Sequence, residues 1–272
     1  MLSLVATPIG NLRDITFRAI EILKSSHYIL CEDTRHSKTL LQHYSIHTPL
    51  KSYHKFNEKE RQEEVINDLK ENFHVALISD AGTPALSDPG ADLVSLCKKE
   101  GIKVQSIPGA CAAIVSLTAS GLDTSSFQFS GFLPRKKGEL KTALLEIIKY
   151  PGTTVCYESP LRIQGVLELL ATLAPQRKLV IARELTKKYE EIIEGTAETL
   201  FTSLSHPLKG EIVLLIEGNK NPFPSSWNDL TIGEHLEFLM KQFSISKQEA
   251  LKIAAEQRGV SKRELYKQTM LK

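Results

Sequence analysis

The sequence contains neither G-x-G-x-x-G nor G-x-x-x-x-G-K-[ST]. The glycine fingerprint of ordinary dinucleotide binding and the phosphate cradle of P-loop nucleotide hydrolases are therefore both missing. Its four cysteines, Cys31, Cys97, Cys111 and Cys156, stand far apart with no C-x-x-C pair. That spacing argues against a zinc site or a disulfide framework and for small buried hydrophobes in a reducing compartment. The eight histidines include no H-E-x-x-H spacing, so no metal is expected. No apolar run reaches the length of a membrane span, and Met1-Leu2-Ser3-Leu4-Val5 lacks the basic start of a signal peptide. The expectation is a soluble, cytoplasmic protein with no membrane partner. Charge of one sign is absent too: 34 Lys and Arg oppose 32 Asp and Glu, a formal +2. The bulk charge thus does not announce a nucleic-acid partner.

What is present is enough chain, 272 residues of which 42% are hydrophobic, for two ordinary domains and a small appendage. Charge is uneven: from Ser246 to Lys272 seven Lys and Arg face three Glu, so the basic character gathers at one end. Over the first 110 residues, apolar strand-like runs (Leu2–Ala6, Tyr28–Cys31, Val75–Ile78, Val104–Ile107) alternate with helical patterns. One helix carries Ile15, Ala19, Ile22 and Leu23 on a single face, another starts near Asp33, and a charged, largely exposed one covers Asn57 to Leu69. This βαβ alternation predicts a mainly parallel sheet covered by helices.

Pro108-Gly109 breaks the pattern, and the domain junction is placed there: an α/β domain over 1–110 and a second over 111–220. In the second half, strands are expected at Phe127–Gly131, Thr153–Tyr157, Leu179–Ala182, Glu190–Glu194 and Glu211–Ile216, the closely spaced ones pairing antiparallel in a mixed sheet. Ser159-Pro160 predicts a helix start, with Ser at the N-cap and Pro at the first position. Asn219 to Ser226 reads as a linker to a helical segment over 227–272. There Ser246-Lys247-Gln248-Glu249 and Ser261-Lys262-Arg263-Glu264 are capping boxes, and Gly259 between them is a natural helix stop. The pair resembles a helix-turn-helix unit.

The chemistry concentrates at strand ends. Ser79-Asp80-Ala81-Gly82-Thr83-Pro84-Ala85-Leu86-Ser87-Asp88-Pro89-Gly90 follows an apolar strand, a place where α/β proteins hold ligands. Small residues there let backbone approach a bound molecule, and the polar ones supply donors and acceptors. Ala6-Thr7-Pro8-Ile9-Gly10-Asn11-Leu12 ends the first strand, and Glu32-Asp33-Thr34-Arg35 ends the second. Asp33 or Thr34 alone could be a plain helix cap; four polar residues together ask for more.

Those motifs, with Pro108-Gly109, Gly131-Phe132-Leu133-Pro134, Tyr157-Glu158-Ser159, Ala182-Arg183-Glu184-Leu185-Thr186-Lys187 and Gly210-Glu211, occur in an order that resembles the ribosomal RNA small-subunit methyltransferase I family, within the tetrapyrrole-methylase-like superfamily. The resemblance spans roughly residues 4 to 218, and the C-terminal helices fit it. It implies two α/β domains with S-adenosyl-L-methionine in a cleft between them, and a homodimer. It also implies methyl transfer to the ribose 2′-oxygen of a cytidine in small-subunit ribosomal RNA, free or within the small ribosomal subunit. By the same resemblance Pro8, Ile9, Gly82, Thr83, Leu86, Cys111, Ala112, Tyr157 and Leu185 line the donor site. Thr83 departs from the superfamily's Gly-Asp-Pro loop, so a carboxylate contact there becomes a hydroxyl or backbone one. For Leu86, Tyr157 and Leu185, core packing is the competing reading.

A ribose hydroxyl is a weak acid, so a base or a charge favouring its alkoxide is expected. Glu32, Asp33, Asp80, Asp88 and Glu158 are candidate bases, with Arg35 or Lys187 as electrostatic support; Asp33 and Arg35 are favoured, because their motif is least required for folding. Arg135, Lys136, Lys137, Lys187, Lys262 and Arg263 are candidates for RNA phosphates. Two other readings remain open: a methylase of the same fold acting on a tetrapyrrole or another small molecule, and a non-catalytic module binding RNA or a nucleotide.

Overall fold

The computed structural model describes residues 1–204, 208–219, 227 and 230–269. Residues 220–226 of the expected linker and residues 270–272 of the basic tail lie outside the described residues. The chain divides into two compact units, one of Met1–Ser116 with Glu184–Glu190, the other of Leu117–Arg183 with everything from Glu191 onward.

The first unit runs β1 (Leu2–Val5), α1 (Phe17–Ser25), β2 (Tyr28–Cys31), α2 (Thr34–His43), β3 (Leu50–Ser52), α3 (Glu58–Lys70), β4 (Val75–Leu77), α4 (Ala91–Lys99), β5 (Val104–Ile107) and into α5 (Ala112–Ala119), which spans the division. Its sheet has the order β3-β2-β4-β1-β5, and every neighbouring pair is parallel. Successive strand residues feed opposite faces. Leu30, Val75 and Leu77 join Val65, Leu69, Leu93 and Cys97 on one side, while Ile29, Cys31 and Ala76 join Ala19, Leu23, Leu40 and Leu41 on the other. Burial on both faces explains the nearly continuous apolar runs. β3 was not expected: a three-residue, half-buried edge strand is too short to carry a period. Helix α3 is charged outside, yet it buries Val65, Ile66 and Leu69.

The second unit runs β6 (Phe127–Phe132), α6 (Lys137–Ile147), β7 (Thr153–Glu158), α7 (Ile163–Leu173), β8 (Lys178–Arg183), β9 (Glu191–Thr196), α8 (Ala197–Ser203), β10 (Ile212–Ile216), α9 (Ile232–Phe243), α10 (Lys247–Gln257) and α11 (Lys262–Thr269). Its sheet, β6-β7-β10-β8-β9, is mixed as expected: β6 and β7 are parallel and the other pairs antiparallel. Between β8 and β9 the chain leaves this unit for Glu184–Glu190 and returns. The expected helix start at Ser159-Pro160 is corrected. Helix α7 begins at Ile163, and Ser159 through Arg162 form a turn in which the Ser159 carbonyl accepts from the Arg162 and Ile163 N–H groups. The Glu158 carboxylate holds that turn, accepting from the Ser159 N–H at 2.7 Å and pairing with Arg162 at 3.2 Å.

Leu236, Leu239, Phe243, Leu251, Ala254 and Leu265 of the last three helices share one apolar core with Leu170, Ile181 and Leu214. The segment expected to stand apart is therefore part of the second unit's core. On α9 His235 is fully buried, stacked on Trp227 at 4.1 Å. Arg258 Nε donates to His235 Nδ1 at 3.0 Å, which leaves Nε2 to donate to Gln257 at 2.8 Å and fixes a neutral ring. Burial lowers the pKa of His235 accordingly.

In a parallel sheet every strand delivers its following loop to the same edge, so the loops after β1, β2, β4 and β5 emerge together. Their approach is close: a Cβ at Gly109, just after β5, would stand 2.7 Å from the Cβ of Ala6, just after β1. Gly109→Val must push the two strand ends apart, and we expect a loss of about 1–3 kcal/mol, read as a lower denaturation midpoint at unchanged slope.

Candidate active site

The β1 and β4 loops are joined by backbone. The Thr7 N–H donates to the Gly82 carbonyl at 2.9 Å, and the Gly82 N–H returns a bond to the Thr7 carbonyl at 3.1 Å. Thr7 Oγ1 donates to the Ser79 carbonyl at 3.2 Å, and Ser79 Oγ donates to the carbonyls of Ala81 and Gly82, both at 3.2 Å. The β4 and β5 loops are joined by Thr83, whose hydroxyl donates to the Ala110 carbonyl at 3.1 Å. The β2 loop is joined to the β4 loop by the Asp33 N–H, which donates to Asp80 at 3.2 Å. Gly82 has φ +79°, and a Cβ there would lie 3.2 Å from Ile9. Ala85 and Ser87 also adopt left-handed backbone, at φ 65° and 70°. Such geometry costs an L-residue about 1–3 kcal/mol and marks a loop shaped by something other than local propensity.

Most of the residues expected around a methyl donor meet on this edge. Thr83, Leu86, Cys111 and Ala112 present surface there, Leu86 being 36% exposed and Cys111 and Ala112 half-buried at the start of α5. Pro8, Ile9, Gly82 and Leu185 are buried, Ile9 lying against Gly82 and the Leu185 carbonyl against Gly10. Leu185 arrives with the returning segment Glu184–Glu190, which docks on the β1 loop: the Asn11 N–H donates to Thr186 Oγ1 at 3.0 Å, and Gly10 lies under Lys187. Tyr157 belongs to the second unit, half-buried at the end of β7, with the rings of Phe129 and Phe132 edge-on at 4.9 and 5.6 Å.

Carboxylates mark the same edge. Burial and the neighbouring charges of Glu32 and Asp80 push Asp88 up to about 6, with the Ser79 hydroxyl opposing. Glu32 is raised in the same way, by burial and by Asp80. Asp33 goes the other way. It caps α2 through the Arg35 N–H at 2.8 Å and takes both Nε and Nη2 of Arg35, at 3.2 and 2.9 Å. Those bonds hold it down to about 2. The Arg35 side chain is 91% exposed, so the pair stands in solvent. Small apolar surface beside clustered carboxylates suits a donor with a sulfonium and an amino-acid ammonium.

Of the residues expected to meet RNA, Arg135 and Lys136 are exposed in the loop between β6 and α6, where Lys136 pairs with Glu139 at 3.0 Å, Lys137 is exposed as the first residue of α6, and Lys262 and Arg263 are exposed at the start of α11. Lys187 is engaged by Glu184 at 3.0 Å. Glu158 is the outlier among the expected carboxylates. Its side chain is fully buried, its Oε2 has no hydrogen-bond partner among the described residues, and burial raises its pKa. Its partner Arg162 was not singled out by the sequence. The i, i+4 spacing was legible, but Arg162 also donates to the carbonyls of Leu133 and Pro134, at 3.2 and 2.5 Å, and that target lies outside any local pattern.

Residues 1–200 match the family of Tetrapyrrole (Corrin/Porphyrin) Methylases. Among curated proteins, the chain is 47% identical to the ribosomal RNA small subunit methyltransferase I of Halalkalibacterium halodurans, covering 97% of this chain and 93% of that protein. It is 44% identical to the protein of the same name from Bacillus subtilis, covering 98% and 92%. Among solved structures, diphthine synthase aligns with a TM-score of 0.61 at 15% identity, covering 82% of this chain and 91% of that one. Uroporphyrin-III C-methyltransferase from Thermus thermophilus, complexed with S-adenosyl homocysteine, aligns with a TM-score of 0.55 at 17% identity, covering 79% and 96%. At that identity the structural likeness speaks for the fold. With the matched family model, and with curated relatives aligned over nearly their whole length, the chain belongs to the tetrapyrrole methylase family, in the branch of the ribosomal RNA small subunit methyltransferases I.

Proposed function

We propose that this protein transfers a methyl group from S-adenosyl-L-methionine to small-subunit ribosomal RNA, at the ribose 2′-oxygen of a cytidine. The observation that carries the reading is the identity of 47% with a curated relative of that name over 97% of the chain. When bound, the donor supplies an electrophilic methyl group on a positively charged sulfur. The chain's own residues do the rest. Thr83, Leu86, Cys111 and Ala112 offer the surface that would hold the donor, on a base formed by Pro8, Ile9, Gly82 and Leu185; the family resemblance adds Tyr157. Loops cross-tied by backbone bonds hold that surface in place before the reactants arrive, and positioning of this kind can supply much of the rate.

Among the carboxylates, Asp33 is committed to its cap and to Arg35, and a group held at about 2 has little affinity for a proton. In this reading Asp33 orients Arg35, and the exposed guanidinium is free to face a phosphate or a developing alkoxide. Asp88, pushed up to about 6, is the better matched acceptor for the hydroxyl proton near neutral pH. Arg135, Lys136, Lys137, Lys262 and Arg263 would grip RNA phosphates, with Lys187 supporting from its pair with Glu184. The protein acts as a homodimer in this reading.

The decisive experiment supplies donor labelled in its methyl group to small ribosomal subunits from cells lacking the modification. Label is expected in a cytidine ribose. Label in a base, or in a tetrapyrrole only, or binding without transfer, overturns the reading. The pH profile tests Asp88. Below about 6 its carboxylate takes up a proton and can no longer accept one, so kcat/KM should fall about tenfold per pH unit. Asp88→Asn should remove that limb and leave a low, pH-independent rate with donor affinity retained; a wild-type rate in this variant would assign the base elsewhere. Reversing charge on the tail with Lys262→Glu and Arg263→Glu leaves the buried Leu265 side of α11 intact. RNA affinity should drop and its salt dependence flatten by about 0.7 per lost phosphate contact, while calorimetry finds donor binding unchanged.

A further inference from the structure

Three groups in the second unit have no place in the chemistry above. They are the fully buried Glu158, the adjoining Arg162, and the carbonyls of Leu133 and Pro134 that Arg162 engages. Together they form one chain of contacts. Glu158 ends β7, directly after Tyr157. Its Oε1 accepts from the Ser159 N–H at 2.7 Å and pairs with Arg162 Nη1 at 3.2 Å. Nη1 and Nη2 of the same guanidinium then donate to Leu133 at 3.2 Å and Pro134 at 2.5 Å. Those two carbonyls immediately precede Arg135, Lys136 and Lys137, which are exposed.

We infer that Arg162, anchored by Glu158, is a positioning residue that sets the backbone of the loop from Leu133 to Lys136, and with it the entry to α6 at Lys137, so that Arg135, Lys136 and Lys137 meet the RNA in a fixed register to Tyr157. The inference rests on the RNA reading of that loop. A planar, five-donor guanidinium suits the task, because it can satisfy a carboxylate and two carbonyls at once, whereas an ammonium cannot match that fork. The cost of the arrangement points the same way. Burying a carboxylate with one oxygen unpartnered is expensive, and α7 starts only at Ile163, leaving Ser159–Arg162 as the turn that carries the guanidinium to the loop. Packing alone would be served as well by an apolar pair at both positions. What the ion pair adds is a directed hold on two successive carbonyls of an exposed loop.

The test is a double-mutant cycle on methylation of unmodified small ribosomal subunits. Arg162→Met should raise KM for the subunits by about tenfold, with kcat and calorimetric donor affinity changed less than about twofold. Glu158→Gln should act in the same direction, and Arg162→Lys should recover only part of the loss. In a background where Arg135, Lys136 and Lys137 are all alanine, Arg162→Met should have no further effect on KM, because the clamp acts only through those cations. An equal effect in both backgrounds would mean that Arg162 merely supports the fold, and would overturn the inference. If Arg162→Met does not fold, the Arg162→Lys and Glu158→Gln cycles decide in the same manner. A triple-alanine variant that binds subunits like the wild type would instead overturn the RNA reading of the loop. A wild-type protein that never labels the subunits would overturn the proposed function itself.

Discussion

Two backbone hydrogen bonds exchanged between Thr7 and Gly82 tie the β1 loop to the β4 loop, and the rest of the candidate site is hung on that link. Strands β4, β1 and β5 are sheet neighbours, so their following loops already leave the same edge. Only side chains smaller than the usual ones let those loops close on each other. Gly82 needs its positive φ and lies tight against Ile9, and Gly109 faces Ala6 with no room for a further carbon. Thr83 then bonds across to Ala110, and Asp80 receives the backbone of Asp33. The loops that carry the candidate site are thereby cross-tied, and loops held in this way need little reordering when a ligand arrives.

The carboxylates on this edge are chemically alike and physically different. Asp33 meets a solvated guanidinium and a helix N-terminus, both of which favour its charge. Asp88 meets partial burial and two other carboxylates, which disfavour it. One residue type thus carries a firmly held negative charge at one strand end and a charge more readily neutralised at another. The same logic separates Glu158, which is sealed in the second unit and acts through its arginine partner.

The second unit shows how far a basic surface depends on an apolar interior. The cations of α10 and α11 ride on helices whose inner faces, through Leu251, Ala254, Ala255 and Leu265, belong to the core that also holds β8 and β10. Arg258 uses its donors on the carbonyls of Trp227 and Leu230 and on His235, so one cation of the basic tail serves the fold. Counting charges along the tail overstates what is available to a partner.

The sequence by itself determined the alternation of strand and helix, the parallel sheet of the first unit, the mixed sheet of the second, and the strand-end motifs that identify the family. Those are written in short apolar runs, in period, and in small and polar residues at fixed offsets, all of which are local. Strand β3 escaped because three half-buried residues carry no period. At the start of α7 Ser159 keeps a local capping contact, its Oγ accepting from the Leu161 N–H at 3.3 Å, but a turn intervenes and the regular helix begins only at Ile163. Only the tertiary structure decided that Asp33 is held by Arg35 while Asp88 sits partly buried beside Glu32, Asp80 and the Ser79 hydroxyl, that Leu185 returns to the first unit from between β8 and β9, and that Arg162 reaches back to Leu133 and Pro134. Each of these depends on groups far apart in the chain meeting at hydrogen-bonding or Coulombic distance, and such distances are set by packing, which no window of neighbouring residues contains.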